Sequence, residues 1–594
     1  MKTTKNKNWS KLQHNNRIGN SRILAVCDYV CCAFLSLALS ASSYYTTYGD
    51  CPLSVAFVLT ALLVFAVLIL ITFCLRKFLT SKVWQSKKFS NNRISNFANR
   101  LLNCKHPVLA VASVILVCWA LPLIFLYPGT CINDTWNQLH QYMTFFSNGG
   151  MNVDGQVTDH HPIFDTFFIG FLIVPLAQAT GLWHPVMFCY VLLQAICTSL
   201  AFSCTVNYAN KKLKLGIVPT YMILIAFCCM QVFPAMVQLI SKDSLHSWIF
   251  VFYVLFFIEL VRTNGKVIKN KKFTMLFCAT IVFCCLTKKV GFYVILLSLL
   301  LFLIFCKNNR KFVLIPMLCA ILLMQGAVPL ALNGMDITAG SKREMLSLPF
   351  MMTARYVKDY PQDVTDAERA VIDKTLQYDT LAERYKPIFA DPVKNYSNIE
   401  GMHGFIDYFK VWVKQGFRHP DAYVKAANCL IAGWFSWDEW APLMNNGWRD
   451  QFNESEIPAY VPERGITQVT ADGYQEFIHN LYKFPILRVF HTFAFWASLI
   501  LAFAVCTVIR FRKTQKASWM ALLPCLFALF LGCWLSPVSN YGIEGIRYLF
   551  PVVETAPLML AWCFYLEKNK KAKCLKKRKW KASPGKQICQ ESQF

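Results

Sequence analysis

The chain has 594 residues, is 55% hydrophobic, and carries 60 lysines and arginines against 33 acidic residues, a formal net charge of +27. A mean hydropathy of +0.38 excludes an ordinary soluble protein. Charge-free apolar runs of about 20 residues, in place of alternating ten-residue segments, exclude a membrane β-barrel and point to an all-α polytopic bundle.

The basic N-terminus (Lys2, Lys5, Lys7, Lys11, Arg17, Arg22) is followed by an apolar segment with no small-residue cleavage site, so no removable leader is read there. Residues 1–106 hold this terminus, spans near 22–42 and 53–75, and a basic loop at 76–106. A transmembrane core, 107–332, follows with spans near 107–127, 185–206, 215–238, 244–262, 273–287, 289–306 and 311–332. Its first loop, 128–184, contains Asp134, Asp154, Asp159 and Asp165 and no lysine or arginine. Such a loop faces away from the cytoplasm, whereas the basic loops between spans fall inside. That parity keeps the apolar segment 163–182 on the outer face as an interfacial helix, a placement that Asp165 and Pro175 suit better than a crossing.

Residues 333–486 form one extracytoplasmic, mainly helical region. Thr365-Asp-Ala-Glu368 is a capping box that opens a helix. Phe405, Tyr408, Phe409, Trp412 and Val413 recur at helical spacing, as do Tyr423, Ala427, Leu430, Ile431 and Trp434 after His419-Pro420. The aromatic run from Trp434 to Pro442 reads as packing against the membrane side, or else as the border of a substrate groove. Cys429 is the region's one cysteine, so no disulfide forms within it; the other cysteines lie mostly in spans, as small apolar groups. C-terminal spans near 487–510, 516–537 and 545–566 lead to a basic cytoplasmic tail, 567–594, for twelve spans in all with both ends inside. The basic excess marks topology and contacts with membrane lipids, not nucleic acid.

A few cations break the positive-inside trend and fall at the outer ends of spans: Lys242, Lys288, Lys289 and Arg547, the last followed by Tyr548. Ionisable groups at membrane depth are costly and are retained where they are paired or functional. A carboxylate can take a proton from an acceptor, and cations can hold a departing phosphate. Blander readings stand beside these. Asp134 is a favoured N-cap before Thr-Trp-Asn-Gln-Leu, Asp159 can cap or pair, Asp243 can pair with its neighbour Lys242, and Lys288-Lys289 can be plain turn residues. An adjacent pair such as His160-His161 seldom places both rings on one metal ion.

The ordered set Tyr127-Pro-Gly, Asp134, Gln138, Asp159-His-His-Pro162, Pro234, Lys242-Asp243, Gly291-Phe-Tyr293, His419-Pro420, Tyr423, Trp434 and Arg547-Tyr548 through Pro551 resembles the GT-C class of membrane glycosyltransferases. Protein O-mannosyltransferases and lipid A aminoarabinose transferases are its familiar members, and the set is similar to a family of bacterial multi-spanning proteins related to that class. The resemblance covers roughly 107–566. It implies a polyprenyl-phosphate-linked sugar donor, inverting transfer to a cell-envelope acceptor on the outer face of the cell membrane, and a soluble domain over the site. By the same resemblance Asp134 matches the loop aspartate assigned as general base, and Asp159 the acidic position before the proline-containing run. His160 and His161 stand where familiar members carry an acidic pair or a lysine, which leaves the phosphate partner and a divalent cation open. Readings of a different class are a transporter or flippase of a lipid-linked precursor, and a scaffold for envelope assembly. Neither inverted repeats nor broken helices are read, and no P-loop, GxGxxG, HExxH or CxxC pair appears in context.

Overall fold

The computed structural model describes residues 29–45, 54–80, 93–306, 309–340, 342–399, 401–435, 466–511, 517–535 and 547–582. The start of the first expected span, Trp437, Trp440 and the end of the tail lie outside the described residues.

Four two-residue strands aside, the described architecture is all-helical. Eight helices are long and apolar enough to cross a membrane: Val55–Cys74, Pro107–Phe125, Ile163–Thr180, Trp183–Lys211, Lys242–Arg262, Arg310–Gly334, Ser518–Leu535 and Arg547–Asn569. Shorter apolar helices, Tyr29–Tyr45, Ile217–Cys229, Lys289–Phe305 and Phe493–Val505, lie on further expected spans, and Lys271–Thr287 lies on the span near 273–287. This is a polytopic membrane protein. Segment 163–182 is one helix, Ile163–Thr180, that carries Pro175 within it and buries Asp165 completely.

The expected continuous span 215–238 is corrected. Its helix stops at Cys229, Met230 turns extended, and a short helix resumes at Val232–Val237. Pro234 has no N–H to donate to the Met230 carbonyl, which accepts instead from Phe233 N at 3.2 Å. The chain therefore does contain a broken helix. Beyond the break it extends into β3, Leu239–Ile240, which pairs in parallel with β1, Thr130–Cys131. A second parallel pair joins β2, Thr158–Asp159, to β4, Thr338–Ala339.

Above the bundle, residues 347–431 bury a core of their own that includes Leu348, Phe350, Tyr356, Ile372, Leu376, Tyr408 and Tyr423. The capping box forms as read: Thr365 Oγ1 accepts from Glu368 N at 3.3 Å, opening Asp366–Leu376. The aromatic spacings likewise fall on Gly401–Arg418 and Pro420–Ile431, but Phe405, Phe409 and Val413 face outward while Tyr408 is buried. Trp434 is buried in the bundle core beside Phe493, its ring over Gly532, where a side chain would strike it.

Asn133–Ser147 packs on Ile163–Thr180 through Gly170, where a Cβ would collide with the Tyr142 ring. Alanine is ordinarily worth about 1 kcal/mol over glycine within a helix. Here Gly170→Ala is expected to destabilise by about 1–3 kcal/mol through overpacking. A lower thermal midpoint in nanodiscs checks this, and a raised one contradicts the packing.

Candidate functional site

The two strand pairs assemble the site. β1 and β3 run parallel, with Thr130 beside Leu239 and Cys131 beside Ile240, and each strand leads into a helix. Asn133–Ser147 and Lys242–Arg262 thus begin side by side, with Asp134 and Lys242 in their first turns. Thr135 Oγ1 accepts from Ile132 N at 3.2 Å and donates to the Ile240 carbonyl, tying one helix start to the other. From the neighbouring helix, Gln194 Nε2 donates to the carbonyls of Val237 (2.6 Å) and Leu239 (3.0 Å). The β2–β4 pair places Asp159-His160-His161 against Thr338–Ala339, which lead toward the helical region at 347–431. Gly340 lies so close to the Asp159 carbonyl that any side chain there would strike it.

Asp134 Oδ2 accepts from Lys242 Nζ at 2.8 Å and from Arg547 Nη1 at 2.7 Å. Asp134 is therefore not a helix cap; the helix begins at Asn133 after Ile132. Lys242 Nζ also donates to His161 Nδ1 at 2.6 Å, which leaves the ring neutral with its proton on Nε2. Asp243 does not pair with its neighbour Lys242: Lys288 meets its Oδ1 at 2.5 Å and Arg547 Nε approaches its Oδ2 at 3.7 Å. Lys289 meets Asp159 Oδ2 at 2.7 Å and also donates to the Asp159 carbonyl, while Asp159 Oδ1 accepts from Ile163 N at 3.1 Å and opens the next helix. Lys288 and Lys289 are thus ion-paired, not plain turn residues. Tyr548 lies beneath the cations, its ring 5.3 Å from Lys288 Nζ and 5.0 Å from the Arg547 guanidinium, and its hydroxyl accepts from Arg547 at 3.2 Å.

Asp134, His161, Lys242, Lys288, Lys289, Arg547 and Tyr548 line a cavity of about 640 Å³ together with His160, which is exposed. The segments Lys342–Leu346 and Asp391–Lys394 supply the facing wall with Arg343, Glu344, Asp391 and Lys394, of which Lys394 meets Glu344 at 2.6 Å and Asp391 at 2.8 Å. The sequence reading missed this wall; surface-type charges on short 3-10 and helical turns carry no periodic signal. Asp154 is exposed, outside the cavity lining, and Asp165 is buried behind it. Burial pushes the Asp134 carboxyl up, but Lys242 and Arg547 outweigh it and hold it far below the usual carboxylate range. Burial and the Lys242 ammonium hold His161 down at about 3. Among the described residues no three His, Cys, Asp or Glu side chains gather as a metal site, since each carboxylate here already serves a lysine or arginine.

Fold and site together define a polytopic membrane protein with an ion-paired chamber built at helix ends. The chain belongs to DUF6020, a family of unknown function, whose model matches residues 16–579. No protein with a curated description matches the sequence. Among solved structures it is similar to the archaeal oligosaccharyltransferase AglB from Archaeoglobus fulgidus in complex with an inhibitory peptide and a dolichol-phosphate, at 14% identity and a TM-score of 0.34. The match covers 81% of this chain and 52% of that one, so this chain spans about half the length of its neighbour. The likeness is a distant one of overall shape.

A histidine held at about 3 against an ordinary 6.5 makes the folded state bind fewer protons than the unfolded one across that interval. The stability it confers is complete above 6.5 and is lost as pH falls toward 3. Thermal stability is expected to drop between about pH 7 and about pH 5 in the native protein and to drop less in His161→Gln, whose amide oxygen still accepts from Lys242. Equal slopes in the two proteins would contradict the neutral-ring assignment.

Proposed function

We propose that this protein is a membrane glycosyltransferase that moves a sugar from a polyprenyl-phosphate-linked donor to an acceptor on the extracytoplasmic side, with inversion. The observation that carries the reading is the convergence of Lys242, Arg547 and Lys288 with the Asp134 carboxylate in one cavity at helix ends. The resemblance read in the sequence points the same way. In the reaction an acceptor oxygen bonds to the anomeric carbon as the bond from that carbon to the phosphate oxygen breaks. The electron pair leaves with the polyprenyl phosphate, and the acceptor's proton passes to Asp134. Lys242 and Arg547 neutralise the charge that grows on the leaving phosphate, and Lys288 and Tyr548 support them from below. Asp159 and Lys289 hold the loop that carries His160 and His161 against the cavity. Lys242 and Arg547, both on Asp134 Oδ2, supply positive charge of the kind a divalent cation would bring to a leaving phosphate.

The broken helix at Met230 favours a second reading, a carrier that flips the same lipid-linked precursor. Proteoliposomes loaded with a panel of polyprenyl-phosphate sugars separate the two. Transfer predicts sugar released from the lipid, about 10²–10⁴-fold slower in Asp134→Asn, and about 10²–10³-fold slower in Lys242→Ala or Arg547→Ala. Transbilayer movement of intact donor without conversion would favour the carrier. Full transfer by folded Asp134→Asn would remove Asp134 from the chemistry.

A further inference from the structure

A carboxylate held by two cations is a poor base, and both Asp134 contacts fall on the same oxygen, Oδ2, at 2.8 and 2.7 Å. From this geometry we infer that Asp134 is a donor-gated base: Lys242 and Arg547, both on Oδ2, suppress its basicity until the donor phosphate loosens their hold. The inference rests on the donor reading above and adds an order of events to it. Donor binding comes first, and the acceptor is activated only afterwards.

Charge balance around the cavity supports the exchange. Lys242, Lys288, Lys289 and Arg547 face Asp134, Asp159 and Asp243, which leaves one positive charge in excess. The facing wall adds none, because Arg343 and Lys394 are matched by Glu344 and Asp391. Asp165 is fully buried, and neither of its carboxyl oxygens has a hydrogen-bond partner among the described residues, so it is counted as neutral. A polyprenyl-phosphate sugar is a phosphodiester with one negative charge, which cancels that excess. After transfer the leaving monoester carries close to two negative charges at neutral pH. The second is balanced when Asp134 takes the acceptor's proton and loses its own charge. Substrate and product states are then both electroneutral, a condition that matters in a partly buried site.

Lys242 can make the exchange without leaving its place. His161 Nδ1 accepts from the same ammonium at 2.6 Å and keeps it anchored when its bond to Asp134 lengthens. His161 is therefore a positioning residue for the gate. The 640 Å³ cavity opens beside both cations and gives the phosphate room to approach them.

The test is phosphate binding to the full chain in nanodiscs, with a short-chain polyprenyl phosphate as probe, read by calorimetry. Native protein has to break the Asp134 contacts in order to bind, whereas Asp134→Asn does not. The variant is expected to bind at least tenfold more tightly, and adding Lys242→Gln or Arg547→Gln is expected to remove the gain. Asp134→Ser serves as a second variant should the asparagine protein not fold. Native protein that binds the probe while both Asp134 variants bind it equally or more weakly would overturn the gate and leave the donor reading standing. Native protein that does not bind the probe at all would overturn both.

Discussion

One carboxylate oxygen joins three remote parts of this chain. Asp134 comes from the first loop, Lys242 from the helix after the broken span, and Arg547 from the start of the last helix. Each of these charges alone at the edge of hydrocarbon would be costly, and together they satisfy one another. Removing any one leaves a partly buried partner uncompensated, which is the expensive failure of such clusters.

Backbone geometry makes that meeting possible. Two pairs of two-residue parallel strands do for the loops what long helices do for the spans, fixing where each polar segment starts. The β1–β3 pair aligns two helix starts, and the β2–β4 pair brings Asp159-His160-His161 to the region that supplies Arg343 and Glu344. After the break at Met230 the short helix Val232–Val237 ends just before Leu239–Ile240, the extended stretch that pairs with Thr130–Cys131.

Apolar runs made most of the helical architecture legible in the sequence, and side-chain chemistry did the same for the capping box at Thr365. The isolated cations Lys242, Lys288, Lys289 and Arg547 were legible as well, because they stand out against apolar surroundings. Their partners were not. Adjacent Lys242 and Asp243 read naturally as a local pair, yet successive residues on a helix point in different directions, and each finds its partner on another element. The strands carry no periodic signal at two residues, and the charges of the facing wall resemble any solvated surface. Pro234 carried a signal of the break that the reading of one continuous span passed over: the hydrogen bond it cannot make.

The account depends on Asp134 and Arg547, 413 positions apart in the chain, being in direct contact. A double-mutant cycle on unfolding stability in nanodiscs, with Asp134→Asn, Arg547→Gln and the pair together, measures that contact directly. A coupling of about 1–3 kcal/mol is predicted, in the range for contacting residues in one ion-pair network. Additive effects, with coupling below about 0.3 kcal/mol, would contradict it.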